Sequence, residues 1–182
     1  MNLKSIFLRT PNHRIAVVAI LIYAFDQATK YFVLRLLGKG QERVIVDGFF
    51  KFVHWGNTGS AWSLFTGNNA ALAVVALIAL LVLFLARHHF GASLPAGQFA
   101  LGLIFGGIIG NLTDRLLPSR HEVIDFIRFY VNRANGNETG FPAFNIADSA
   151  ICVGVAIIFW LSWKSEPASP PAKSLSPDEP AS

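Results

Sequence analysis

Residues 98–117 read QFALGLIFGGIIGNLTDRLL. From Gln98 to Gly110 there is no charge, and then Asn111, Asp114 and Arg115 arrive together. A helix rises about 1.5 Å per residue, so this stretch extends about 30 Å, the thickness of a bilayer core. It reads as a membrane span with a polar end at one face. Gly102, Gly106 and Gly110 form two overlapping Gly-x-x-x-Gly patterns with Gly107 beside them. Small residues on one helix face let a second helix approach closely. Packing alone explains them, and that packing would bring Asn111 near groups on a neighbouring span.

Three more stretches have span length: Ile15 to Leu37, Ala70 to Ala86 and Asn145 to Trp163. Composition agrees. Only 14% of the 182 residues are charged, against about 25% in an average soluble chain. The mean hydropathy is +0.47. A soluble domain of this size needs more polar surface. The net charge is +4, but no Lys/Arg-rich run exists, which argues against a nucleic-acid partner. Cys152 is the one cysteine, so no intramolecular disulfide can form. The sequence therefore predicts a small all-α membrane protein of four transmembrane helices, spanning about 15–37, 70–86, 98–117 and 145–163. No small-x-small site follows Phe25, so the first stretch reads as a retained helix and not a cleaved leader. Lys and Arg are evenly divided between the two sides. The N-terminal cluster of Lys4, Arg9 and Arg14 and the short loop with Arg87 favour cytoplasmic termini.

Between the spans, Val44-Ile45-Val46, then Asp47-Gly48, then an aromatic run from Phe49 to Trp55 predict a β-hairpin at the membrane surface. Pro118 to Phe144 reads as a second long loop, and its polar Asn132–Gly140 segment as mobile. The Pro-rich tail, 164–182, reads as disordered.

Ionisable residues in or beside a span are functional candidates by default. Asp26 and Lys30 lie in the first span, Asp114 and Arg115 end the third, Asp148 begins the fourth, and Asp125 sits in the apolar run Val-Ile-Asp-Phe-Ile. A four-span topology gathers Asp26, Asp114, Asp125 and Asp148 toward one membrane face. Each has a structural reading as well. Asp26 and Lys30 stand i,i+4 as a helical ion pair. Asp114, Arg115 and Asn111 can close a helix end. Asn145 can cap the fourth span, with Asp148 at a position favoured by the helix dipole. Asp125 has no local partner. Two adjacent carboxylates can share a proton, one acting as general base on water and the other as general acid. An Asp114–Asp148 pair and an Asp125–Asp148 pair both satisfy that requirement. His54 and His88-His89 lack zinc-ligand spacing, so neither metal nor cofactor is expected.

Five blocks then carry a family resemblance: Asp26-Gln27-Ala28-Thr29-Lys30, Asn57-Thr58-Gly59-Ser60-Ala61-Trp62, the run Gly106 to Arg115, Val123-Ile124-Asp125-Phe126, and Phe144-Asn145-Ile146-Ala147-Asp148-Ser149. In this order on a four-span chain they resemble the bacterial signal peptidase II family, over about residues 12–163. The resemblance implies an intramembrane aspartic endopeptidase that cuts prolipoproteins just before a diacylglyceryl-modified Cys. It implies Asp125 and Asp148 as the catalytic pair. Asn57, Gly59, Asn111, Asp114, Arg115 and Asn145 fall on substrate-binding or supporting positions, and Asp26 and Lys30 on structural ones. It further implies a β-cradle over about 43–66, a mobile loop over the site, and an active site near the outer face of the bacterial inner membrane. Membrane lipids and globomycin-type inhibitors are expected partners, and a monomer is expected, since one chain holds the whole pair. The Asn132–Gly140 segment lengthens the Asp125–Asp148 separation beyond what the family leads one to expect. Two alternatives stand beside this reading: a proton-coupled carrier and a non-catalytic membrane assembly protein.

Overall fold

A computed structural model of the chain describes residues 10–59 and 67–164. The Pro-rich tail and the end of the expected cradle, 60–66, lie outside the described residues. Among the described residues, four helices are long and apolar enough to cross a membrane: α1 (Pro11–Leu36), α2 (Asn69–Ala86), α3 (Pro95–Leu116) and α4 (Ile146–Lys164). Two start three or four residues earlier than hydropathy alone predicts, because their first turns are set by backbone chemistry. Pro11 and Pro95 occupy helix-start positions, where a missing N–H is harmless. The Thr10 side chain also accepts from the His13 amide.

α3 is the central helix. Its apolar stretch is 61% buried, against 6% for α2, which leaves α2 almost wholly exposed on the outside of the bundle. The glycines make that centre possible. A Cβ on Gly106 would lie 2.6 Å from the Ala19 carbonyl oxygen of α1, and one on Gly107 would lie 2.5 Å from that of Ala147 in α4. α3 is thus clasped from both sides at backbone distance. One turn beyond Gly106, a Cβ on Gly110 would strike the Asp26 carboxylate at 2.6 Å. The expected close packing occurs, and it delivers Asn111 to α4.

The expected hairpin forms as β1 (Glu42–Val46) and β2 (Phe50–Asn57), joined through Gly48 at φ +68. The second loop departs from expectation. Residues Val123–Asn132 form β3 and Glu138–Gly140 form β4, in a four-stranded antiparallel sheet of order β1-β2-β3-β4. The apolar run around Asp125 pairs with the free edge of β2, Trp55 opposite Asp125 and Asn57 opposite Val123. An unpaired strand edge presents a row of N–H and C=O groups that need partners. The polar segment Asn132–Gly140 forms the turn and second strand of the β3–β4 hairpin. It turns at Gly136, which has φ +79. The fold is a helical bundle carrying a sheet, not a purely α protein with one hairpin.

Each strand also contributes a charge to one cluster. Buried Lys51 of β2 bonds Glu138 of β4 at 2.6 Å and pairs with Glu42 of β1. Arg128 of β3 stands 3.6 Å from Glu138. The sheet joins α1 through Val33, Ile124 and Phe126, which form one buried apolar cluster.

Candidate active site

The first amides of a helix need acceptors from outside it. At the start of α4 the Asn145 Oδ1 accepts from the Asp148 amide at 2.9 Å, and Asp148 Oδ2 accepts from the Asn145 amide at 3.2 Å. This reciprocal cap, with Asp in the usual Glu/Gln position, fixes both side chains. It also turns the Asn145 amide nitrogen outward, where it donates to Asp125 Oδ1 at 2.8 Å. The other Asp125 oxygen accepts from Asn57 Nδ2 at 2.9 Å. Asp148 Oδ1 accepts from Asn111 Nδ2 at 2.7 Å. Strand β3 and helix α4 thus present two carboxylates that share Asn145 and are otherwise held by amides. Neither forms an ion pair among the described residues. Asp125 is 4% exposed. Burial, and then the Asp148 charge, raise its pKa from 3.8 to about 7, against the opposing pull of the Asn57 and Asn145 hydrogen bonds.

A second polar cluster lies behind the first. Lys30 Nζ has three protons and three oxygens: Asp26 Oδ2 at 2.8 Å, Asp114 Oδ2 at 2.6 Å and Asn111 Oδ1 at 2.9 Å. Arg120 pairs with Asp114 Oδ1. Asp26 Oδ1 accepts from the Ala147 amide at 3.0 Å, adding a second cap to α4. Asp26, Lys30 and Asp114 are fully buried. The expected helical ion pair of Asp26 and Lys30 is present and larger than expected. Asp114 is engaged by two cations, which leaves Asp125 as the carboxylate that shares Asn145 with Asp148.

Asn57, Asn111 and Asn145 touch the two carboxylates, whereas Gly59 and Arg115 do not. Arg115 donates to Asn69 Oδ1 at 2.8 Å and to the Gly59 carbonyl at 2.7 Å. The Gly59 amide in turn donates to Asn57 Oδ1 at 2.9 Å. Arg115 therefore braces the segment that aims Asn57. The sequence reading singled out none of Gln27, Asn69 and Arg120. Gln27 bridges Asp26 and Asp114 through Nε2 (3.1 and 3.4 Å) and accepts from Arg120 at 3.0 Å. Its place inside the Asp26–Lys30 block was the available signal. Arg120 had none, because its partners come from α1 and α3. Among the described residues no group of three or more His, Cys, Asp or Glu converges as a metal site.

Two acids of which one holds a proton near neutrality, fixed by neutral donors, can activate water and donate a proton in one site. Comparison with known proteins points the same way. The sequence profile of the family described as Signal peptidase (SPase) II matches residues 18–164. The lipoprotein signal peptidase of Bacillus subtilis (strain 168) is 40% identical over 144 residues, covering 78% of this chain and 88% of that protein. That of Nostoc punctiforme is 34% identical over 163 residues, covering 89% and 97%. A solved bacterial membrane enzyme superposes with a TM-score of 0.67 at 29% identity, covering 86% of this chain and 93% of that one.

Proposed function

This chain belongs to the signal peptidase II family, and from that premise we propose that it is an intramembrane aspartic endopeptidase with Asp125 and Asp148 as its catalytic pair. Its general activity is the proteolytic processing of lipoprotein signal peptides. The observation that carries the finer reading is the sharing of Asn145 by buried Asp125 and half-buried Asp148, neither of which forms an ion pair among the described residues. The substrate is a prolipoprotein bearing diacylglyceryl-Cys, with its lipid chains in the membrane. Cleavage occurs just before that Cys. The site faces the outside of a bacterial inner membrane, with both termini cytoplasmic. The protein acts as a monomer and binds globomycin-type inhibitors.

In the mechanism, the pair holds one proton and a water. The ionised carboxylate removes a proton from the water as its oxygen attacks the scissile carbonyl. The protonated carboxyl donates to the developing oxyanion. When the tetrahedral intermediate collapses, the proton given to the oxyanion returns to the second carboxylate, the proton held by the first passes to the departing amine, and the pair again holds one. Asn57, Asn111 and Asn145 keep the carboxyl planes fixed throughout, so no reorganisation is needed as charge moves.

A gel-shift cleavage assay on a diacylglyceryl prolipoprotein tests the assignment, with thermal unfolding measured on each protein. Asp125→Asn and Asp148→Asn are expected to lose cleavage and still unfold in a single cooperative transition. Full activity in either variant would remove that residue from the catalytic pair.

A further inference from the structure

The last turns of α1 and the sheet enclose a pocket of about 420 Å³ that the carboxylate pair does not use. Phe32, Val33 and Leu36 of α1, Phe52 of β2 and Phe126 of β3 give it an apolar wall. Two polar residues remain, Thr29 and Arg43. The Thr29 hydroxyl is occupied within its helix, donating to the carbonyls of Phe25 and Asp26 at 3.0 and 2.8 Å. Arg43 is exposed on β1, and its guanidinium forms no ion pair among the described residues. β3 separates the pocket from the acids. Ile124 and Phe126 pack with Val33 on one side, while Asp125 between them bonds Asn57 and Asn145 on the other.

We propose that this pocket is a binding site for a membrane glycerophospholipid, with an acyl chain against the apolar wall and the anionic phosphate on Arg43. The location suits such a lipid, because α1 ends here, where a spanning helix passes from hydrocarbon to headgroups. The volume falls within the roughly 300–1,000 Å³ of small-molecule pockets. The charge decides between lipid sources. A guanidinium presents a fork of donors that matches phosphate. The diacylglyceryl group of a prolipoprotein is neutral and offers Arg43 no anion. The lipid is thus a fixed component that backs β3 and Asp125 from the side opposite the acids.

The test is native mass spectrometry of the full chain, delipidated in detergent and titrated with dioleoylphosphatidylglycerol or with neutral dioleoylglycerol. The wild type is expected to hold one phosphatidylglycerol about tenfold more tightly than dioleoylglycerol, as a charge-assisted contact implies. Arg43→Gln should remove that preference and leave dioleoylglycerol binding unchanged, whereas Arg43→Lys should retain part of it. Leu36→Trp, at a position 74% exposed, should fill the pocket and weaken both lipids without touching the core. Wild-type binding in Arg43→Gln or Leu36→Trp would overturn the proposal. So would a wild type that prefers dioleoylglycerol, which would reassign the pocket to substrate chains. Binding is read without cleavage, so the outcome is independent of the peptidase assignment.

Discussion

Two buried polar clusters stand back to back in this protein, joined by Asn111, and they are built by opposite rules. In the rear cluster Asp26 and Asp114 face Lys30 and Arg120, two charges of each sign. In the front cluster Asp125 and Asp148 face Asn57, Asn111 and Asn145, with no cation in contact. Cations lock carboxylates in the ionised form. Amides orient them and leave the proton free to come and go. The rear cluster therefore fastens α1, α3 and the start of α4 together. The front cluster keeps a proton available for chemistry. Asn111 serves both. Its oxygen accepts a hydrogen bond from Lys30, which turns its nitrogen toward Asp148.

The sharpest way to break this contrast is to remove the central cation. Lys30→Met leaves two buried carboxylates with one partner fewer, and loss of one member of a buried pair costs about 3–5 kcal/mol. The expected result is a large drop in unfolding temperature together with lost cleavage. Lys30→Met combined with Asp26→Asn removes one charge of each sign and should recover part of the stability. Failure of the double variant to improve on the single one would show that charge balance is not what holds the rear cluster.

A smaller, sign-specific effect separates the front cluster. Folded Asp125 keeps its proton up to about pH 7, whereas its ordinary value is 3.8. Between those values the native state holds a proton that the unfolded chain has released. Stability is then greatest at the acid end and falls as pH rises through the window. Asp125→Asn should flatten that slope. Cleavage, which in the proposed mechanism needs the shared proton, should decline on the alkaline side of about pH 7. Asn57 donates to the ionised form, so Asn57→Ala should move the alkaline limb upward, by about one pH unit for a hydrogen bond to a charged group. An unmoved limb would mean that Asn57 does not set the Asp125 proton.

What the sequence showed of this contrast depended on distance along the chain. The Asp26–Lys30 pair was legible because four residues of helix bring the groups together. The cap of α4 was legible for the same reason, with Asn145 and Asp148 three apart. That the far end of Asn145 meets Asp125 was not, because it requires β3 to lie against β2 about 70 residues upstream. The Val-Ile-Asp-Phe-Ile run carries no turn or periodicity that marks a strand, and only the free edge of β2 makes it one. Arg115 shows the same limit. Its presence near the site was legible, but its partners Asn69 and Gly59 lie on segments that only the fold brings to it. Arg120, clamped to Asp114 from a turn after α3, had no local signature at all.

The ion cluster on the sheet gives the smallest effect and a control for the other two. Lys51 is 2% exposed, but the Glu138 side chain is 36% exposed, so water can replace much of what that carboxylate provides. Glu42 also remains beside the ammonium when Glu138 is neutralised. Glu138→Gln should therefore cost about 1–2 kcal/mol, toward the lower end of the roughly 1.5–3 kcal/mol of a hydrogen bond to a charged group. In a chain of this size that is a fall of roughly 2–4 °C per kcal/mol in unfolding temperature. High salt should shrink the difference, since exposed pairs are screened and buried ones are not. The alkaline limb of cleavage should stay where it is in the wild type, because Glu138 touches neither acid. A shift of that limb would mean that the β3–β4 hairpin sets the position of Asp125 through the sheet, and the separation between a structural and a titrating cluster would have to include β4.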